Sequence, residues 1–137
     1  MADDYPGAAS KHVLDGEALL AAGRFDGAGY LAGYAVECTI KTVIQVEGNP
    51  LLPSHNLGDL SRSALALAAL PSGRTARYLT NPGFTTLTYG DPPGWKETMR
   101  YQAAGLVNQM DAANWVAEAR RLHDEVIVQM RLNGDLR

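Results

Sequence analysis

The sequence predicts an all-α fold, an up-and-down bundle of four to five helices in one domain spanning residues 1–137. Three observations predict it. The run Asp26–Val46, DGAGYLAGYAVECTIKTVIQV, is apolar nearly all the way round, with Glu37 and Lys41 its only charges after the first residue. A helix of that kind is covered on every side and so lies at the centre of a bundle. The flanking segments repeat apolar residues at spacings of three and four, the helical period. At 137 residues, 46% hydrophobic and 20% charged, the chain is large enough to bury a core.

The elements follow in order. A first helix is expected from about Ala8 to Ala22, with Leu14, Ala18, Ala21 and Phe25 as its apolar stripe and Gly23 as its stop. Asp26 is the expected N-cap of the central helix. The short Gly23–Asp26 joint makes these two helices antiparallel neighbours. In the central helix Gly29 and Gly33, four apart, would let another backbone approach closely, either within the chain or across a dimer seam. Glu47-Gly48-Asn49-Pro50 ends it.

Asn56, with Asp59 three residues on, reads as the capping box of a third helix whose Leu57, Leu60, Ala64, Leu67 and Ala68 face inward. Pro71 ends it. Residues 71–101 form an irregular insertion: a short helix over Ser72–Leu79, extended chain over Phe84–Tyr89, and a turn at Asp91–Gly94. So long a connection inside a small domain is often functional. A last helix starts near Asp111, turns Ala112, Trp115, Val116, Ala119, Leu122, Val126 and Met130 inward, and closes at Gly134.

Several function classes are disfavoured at this level. A net charge of −3 argues against wholesale nucleic-acid binding, though not against a local basic patch. The one cysteine, Cys38, sits in the apolar helix, so neither a disulfide framework nor a cysteine metal site is expected, and a reducing cytoplasm is the default location. The N-terminal MADDYPGAAS is acidic and lacks the apolar core of a signal peptide. No run approaches the roughly 18 apolar residues of a membrane span. GAGYLAG lies inside a helix, where its amides are already bonded, so it is no phosphate cradle. No Ser–His–Asp order or metal spacing stands out, and no cofactor is expected.

Four pieces together carry a family resemblance: LLAAGRFDGAGYLAGYAVECTIKTVI (Leu19–Ile44), LPSHNLGDL (Leu52–Leu60), Trp95 ahead of Arg100-Tyr101, and an Ala-rich last helix. The chain resembles a HEPN domain, the small helical module of bacterial toxin–antitoxin systems, over about residues 8–134 apart from Pro71–Gly94. The resemblance implies a helical bundle that is usually a homodimer, often acting with a minimal nucleotidyltransferase. Many relatives are metal-independent ribonucleases in which an Arg precedes a His by four to six intervening residues. His12, His55 and His123 are here preceded at those distances by Tyr5, Pro6 and Gly7, by Gly48, Asn49 and Pro50, and by Val116, Ala117 and Glu118. The motif is absent in its usual form, so no catalytic residue carries over.

The remaining chemistry-bearing residues each have a plain reading beside a sharper one. Glu37 and Lys41 read as an internal ion pair or as a polar cleft with tunable proton affinity. His55 reads as a ring bonding the backbone at the helix start, or as an acid–base group if the fold brings Glu37 or Arg100 to it. His123 reads as an edge residue, and His12 as exposed or at the edge of the first helix. Tyr30 and Tyr34 read as core, with Glu37 a candidate partner for the Tyr34 hydroxyl, or as a nucleotide-binding surface. Arg74, Arg77, Tyr78, Trp95, Lys96 and Arg100 are candidates for contact with a protein partner or RNA. The expectation is therefore a dimeric interaction module for a nucleotidyltransferase or similar protein. The alternative is an RNA-binding or RNA-cleaving toxin using Glu37, His55, Arg100 and Tyr101.

Overall fold

The first helix, α1 (Tyr5–Ala21), starts where the Asp4 carboxylate accepts the Gly7 amide at 2.9 Å, with Pro6 in its first turn. The computed structural model describes residues 3–48, 54–79 and 95–136. The expected stripe of α1 is out of phase with the observed one. Leu14 is 60% exposed, and Ala18 and Ala21 are exposed; Ala9, Val13 and Gly16 are buried instead. Both sets fit a helical face, and the choice falls to the contact with the next helix. A Cβ on Gly16 would stand 3.5 Å from the Ala28 carbonyl oxygen, so this glycine is where two backbones draw close.

The next helix, α2 (Phe25–Val46), returns antiparallel after Gly23, whose φ of 77° suits a residue without a side chain. Every residue from Ala35 to Ile44 is buried, Glu37 and Lys41 included. Asp26 does not cap it. Arg24 holds the cap position with no side-chain bond, and the Asp26 carboxylate accepts the amides of Gly105 and Val107, each at 2.8 Å. These amides hold the Asp26 carboxyl below its ordinary range.

Asn56 caps α3 (Leu57–Ala68) by accepting from the Asp59 amide at 3.0 Å. The reciprocal half of the expected box is supplied by the Ser54 hydroxyl, which accepts the Asn56 amide, while Asp59 pairs with Arg62. The expected helix over Ser72–Leu79 is a single 3-10 turn, Ala76–Tyr78. Tertiary bonds win there: the Glu47 carboxylate at the end of α2 takes the amides of Arg74 and Thr75. The extended segment and the turn expected within 84–94 lie outside the described residues.

A second 3-10 turn, Glu97–Tyr101, leads to α4 (Gln109–His123), capped by Asn108, which accepts the Asp111 amide at 2.8 Å. The helix widens into a π turn at Asp124–Val128 and ends as α5 (Gln129–Asn133), with Gly134 in the left-handed region as expected. All seven residues expected to face inward on this last stretch are buried. α2 packs against α1, α3 and α4, and α4 also packs on α1, so the chain is an all-α bundle around α2. Ile40, Ile44, Leu60, Ile127 and Met130 are its largest fully buried side chains. Among the described residues no helix is long and apolar enough to cross a membrane.

Candidate functional site

Tyr30, Tyr34, Glu37 and Lys41 lie four, three and four residues apart along α2, on one helical stripe. The chain just before α3 lays His55 against that stripe, and α1 contributes Tyr5 and His12. The Glu37 carboxylate is the hub. One oxygen accepts from the Lys41 ammonium at 3.1 Å, and the other meets His55 Nδ1 at 2.9 Å. Glu37 and Lys41 are 4% and 8% exposed, whereas the His55 side chain is 51% exposed. Lys41 also faces the Tyr5 ring, 5.6 Å from its centroid. The internal ion pair expected from the sequence is thus present, but His55 bonds the carboxylate rather than the backbone. A carboxylate accepting at Nδ1 puts the proton on that nitrogen and leaves Nε2 to act outward.

Tyr34 is the centre of a ring cluster. Its centroid lies 4.9 Å from Tyr30, 5.1 Å from Trp95, 5.9 Å from His12 and 6.4 Å from His55. The Tyr30 hydroxyl donates to the Tyr34 hydroxyl at 3.1 Å. Trp95 is 5% exposed and donates its indole N–H to the Tyr30 carbonyl at 3.0 Å, so it packs the core and is not a contact surface. The ring lies over Gly33: a Cβ there would stand 2.0 Å from Trp95 Cε2 and Nε1. A Cβ on Gly29 would meet Val107 Cγ1 at 3.0 Å and Trp115 at 3.1 Å. Both glycines therefore admit side chains from this same chain, neither a neighbouring backbone nor a dimer seam.

Burial lowers the proton affinity of His12 below its ordinary value of 6.5, with Lys11 adding to it. Its Nδ1 is buried without a hydrogen-bond partner among the described residues. The unfolded chain then binds more protons than the folded one as pH falls through 6.5. Stability is full above that pH and declines below it. Acidifying from pH 7.5 to 5 should lower the urea midpoint of the native protein more than that of His12→Gln. Parallel declines would clear His12 of the effect. Burial also pushes the Cys38 thiol up to about 11, so it is no nucleophile near neutrality.

Of the other expected contact residues, Arg74, Arg77 and Tyr78 serve internal ties. The Arg74 guanidinium donates to the Val46 carbonyl at 2.7 Å. Arg77 donates to Asp135 at 2.8 Å and lies 4.9 Å from the centroid of the Tyr78 ring. Tyr78 is buried, donates to Asp135 and accepts from Asn133. These bonds hold Asp135 below the usual carboxylate range, Tyr78 first and Arg77 second. Lys96 is exposed and Tyr101 is 73% exposed, while the Arg100 side chain lies outside the described residues. Of the four catalytic candidates, the structure therefore joins Glu37 with His55. His123, expected at an edge, is buried at 5% exposure.

Among the described residues no group of three or more His, Cys, Asp or Glu side chains is placed to hold a metal ion. The site can offer a carboxylate-backed imidazole for proton transfer and aromatic faces for stacking. Sequence spacing alone could not reveal the His12 and Trp95 contacts, because each joins residues far apart along the chain. No family model, curated protein or solved structure matches this chain.

Proposed function

We propose that the chain is a HEPN-like interaction module. It forms a homodimer and binds a minimal nucleotidyltransferase or similar protein in a bacterial cytoplasmic toxin–antitoxin or defence context. The observation that carries this reading is apolar surface gathered on one segment. Tyr101, Leu106 and Met110 are 73%, 43% and 72% exposed. Of these, Leu106 lines a cleft of about 170 Å³ together with Tyr30, Met99 and Val107. Asp26 holds the segment in place through the Gly105 and Val107 amides. Three large apolar side chains exposed within one short stretch of sequence are the strongest candidates for an interaction surface, since contiguous apolar patches mark such sites. Glu37, Lys41 and the buried rings are meanwhile spent on holding α1, α2 and α3 together. Sedimentation at micromolar concentration should show a dimer that Met110→Lys weakens at least tenfold. A native protein that is only monomeric would remove the dimer, and the protein co-purifying from the host tests the partner.

One observation favours a second reading, an RNA-cleaving toxin with an altered site: the 2.9 Å pairing of Glu37 with a half-exposed His55. Incubation with mixed RNA, with and without chelator, separates the two. The interaction module predicts no cleavage. Cleavage abolished by His55→Ala or Arg100→Ala would replace the first reading with the second.

A further inference from the structure

We propose that Ser10, His123 and Asp124 form a nucleophilic hydroxyl site that accepts acyl groups from activated acyl donors, aryl esters or thioesters. The fold brings the three together from opposite ends of the chain. Ser10 Oγ on α1 lies 2.8 Å from His123 Nε2 on α4, across 113 residues of sequence. The other ring nitrogen, Nδ1, lies 2.9 Å from Asp124 Oδ1. A carboxylate accepting at Nδ1 fixes the proton there and turns the Nε2 lone pair toward the serine hydroxyl, the arrangement that makes a serine nucleophilic.

Asp124 and Ser10 each have a further contact. Arg120 binds Asp124 at 3.3 Å and Glu17 at 2.6 and 3.0 Å, which anchors the carboxylate end. The wide π turn begins at Asp124, and such turns recur at functional positions in helices. The Ser10 hydroxyl also lies 3.2 Å from the Pro6 carbonyl, which competes for its one proton; His123 Nε2, at 2.8 Å, is the nearer acceptor. His123 is buried, while Ser10 and Asp124 are partly exposed residues, so the site sits at the edge of the bundle.

The reaction needs no further cofactor. Ser10 Oγ attacks the acyl carbon as its proton passes to His123 Nε2. The bond to the leaving oxygen or sulfur then breaks, and Nε2 returns the proton to it. Water attacks the acyl-serine, again giving its proton to Nε2. The carboxylic acid leaves and Ser10 regains the proton. The local amides set the substrate class. The Gly7 amide is taken by the Asp4 carboxylate and the Ala8 amide by the Asp4 carbonyl. Amides beyond them are used within α1, so they do not cradle an oxyanion. A single such donor is worth about 100- to 1,000-fold in rate. Peptide and alkyl amides, with poor leaving groups, therefore fall outside the class.

The test uses p-nitrophenyl acetate on the whole chain, with peptide mass spectrometry to locate the acetyl group. Ser10 should be acetylated in the native protein, with the fragment ions placing the acetyl group on residue 10 rather than on neighbouring Lys11, and folded Ser10→Ala should carry none at residue 10. His123→Gln or Asp124→Asn, shown to be folded by circular dichroism, should slow acetylation about 100-fold. Ser10→Cys provides a readout that tolerates weak turnover. Its thiol should react with iodoacetamide at pH 7 and lose that reactivity when His123→Gln is added, with buried Cys38 as the unreactive reference. Acetylation confined to lysines overturns the proposal. So does a Ser10 rate that His123→Gln and Asp124→Asn both leave unchanged.

Discussion

Gly33→Leu should unfold the domain, and even Gly33→Ala should lower its stability by about 2–4 kcal/mol. In an exposed helix interior, alanine would be favoured over glycine by about 1 kcal/mol. Here a Cβ would stand 2.0 Å from two atoms of the Trp95 ring, a distance no small adjustment accommodates. Trp95 must leave. It then loses its bond to the Tyr30 carbonyl and its burial against Tyr30 and Tyr34. Deleting a buried tryptophan costs about 3–5 kcal/mol, which bounds the loss and exceeds the gain in propensity. Against a net stability of about 5–15 kcal/mol that is a large fraction. Tryptophan fluorescence should shift to the red in the same variant. Gly33→Ala in a Trp95→Ala background should be nearly neutral, since the clash is gone. An unchanged melting temperature and emission maximum for Gly33→Ala would place the ring elsewhere.

Glu37→Gln should cost about 3–5 kcal/mol, because it leaves the Lys41 ammonium buried without its counter-charge. It also removes the carboxylate that fastens His55, and with it the start of α3, to α2. Glu37→Gln combined with Lys41→Met should recover most of the loss, as the remaining pocket holds no charge. Urea unfolding of the two single variants and the double variant measures the coupling. A single-variant loss under about 0.5 kcal/mol would mean that the pair is solvated, since exposed pairs of this spacing are worth that little.

The bundle was legible because its signals are local and redundant. The all-round apolar character of Asp26–Val46 led to a central helix, and α2 is in contact with α1, α3 and α4. The cap at Asn56, the inward residues of the last helix and the stop at Gly134 were readable for the same reason. Each depends on neighbours within a turn or on a period carried over several turns. The phase of α1 was not readable. Leu14 and Val13 both sit on acceptable helical stripes, and only the close approach at Gly16 selects Val13.

The candidate site divides along the same line. Glu37 and Lys41, four residues apart on one helix, form the pair that their spacing alone specified. Whether His55 would join them depended on where the chain before α3 returns to α2, and no local pattern encodes that. Asp26 and Glu47 make the point most directly. Both stand at the ends of α2, where short-range rules make Asp26 an N-cap and leave Glu47 in the helix stop, yet their carboxylates reach amides 79 and 27 residues away. Buried or junction amides must find acceptors, and a charged acceptor already at the junction satisfies them better than water does. Local chemistry therefore specified the helices and their apolar faces. The partners of the polar groups, from Glu37–His55 to Ser10–His123, were chosen by which helix ends and faces the packed bundle brings together.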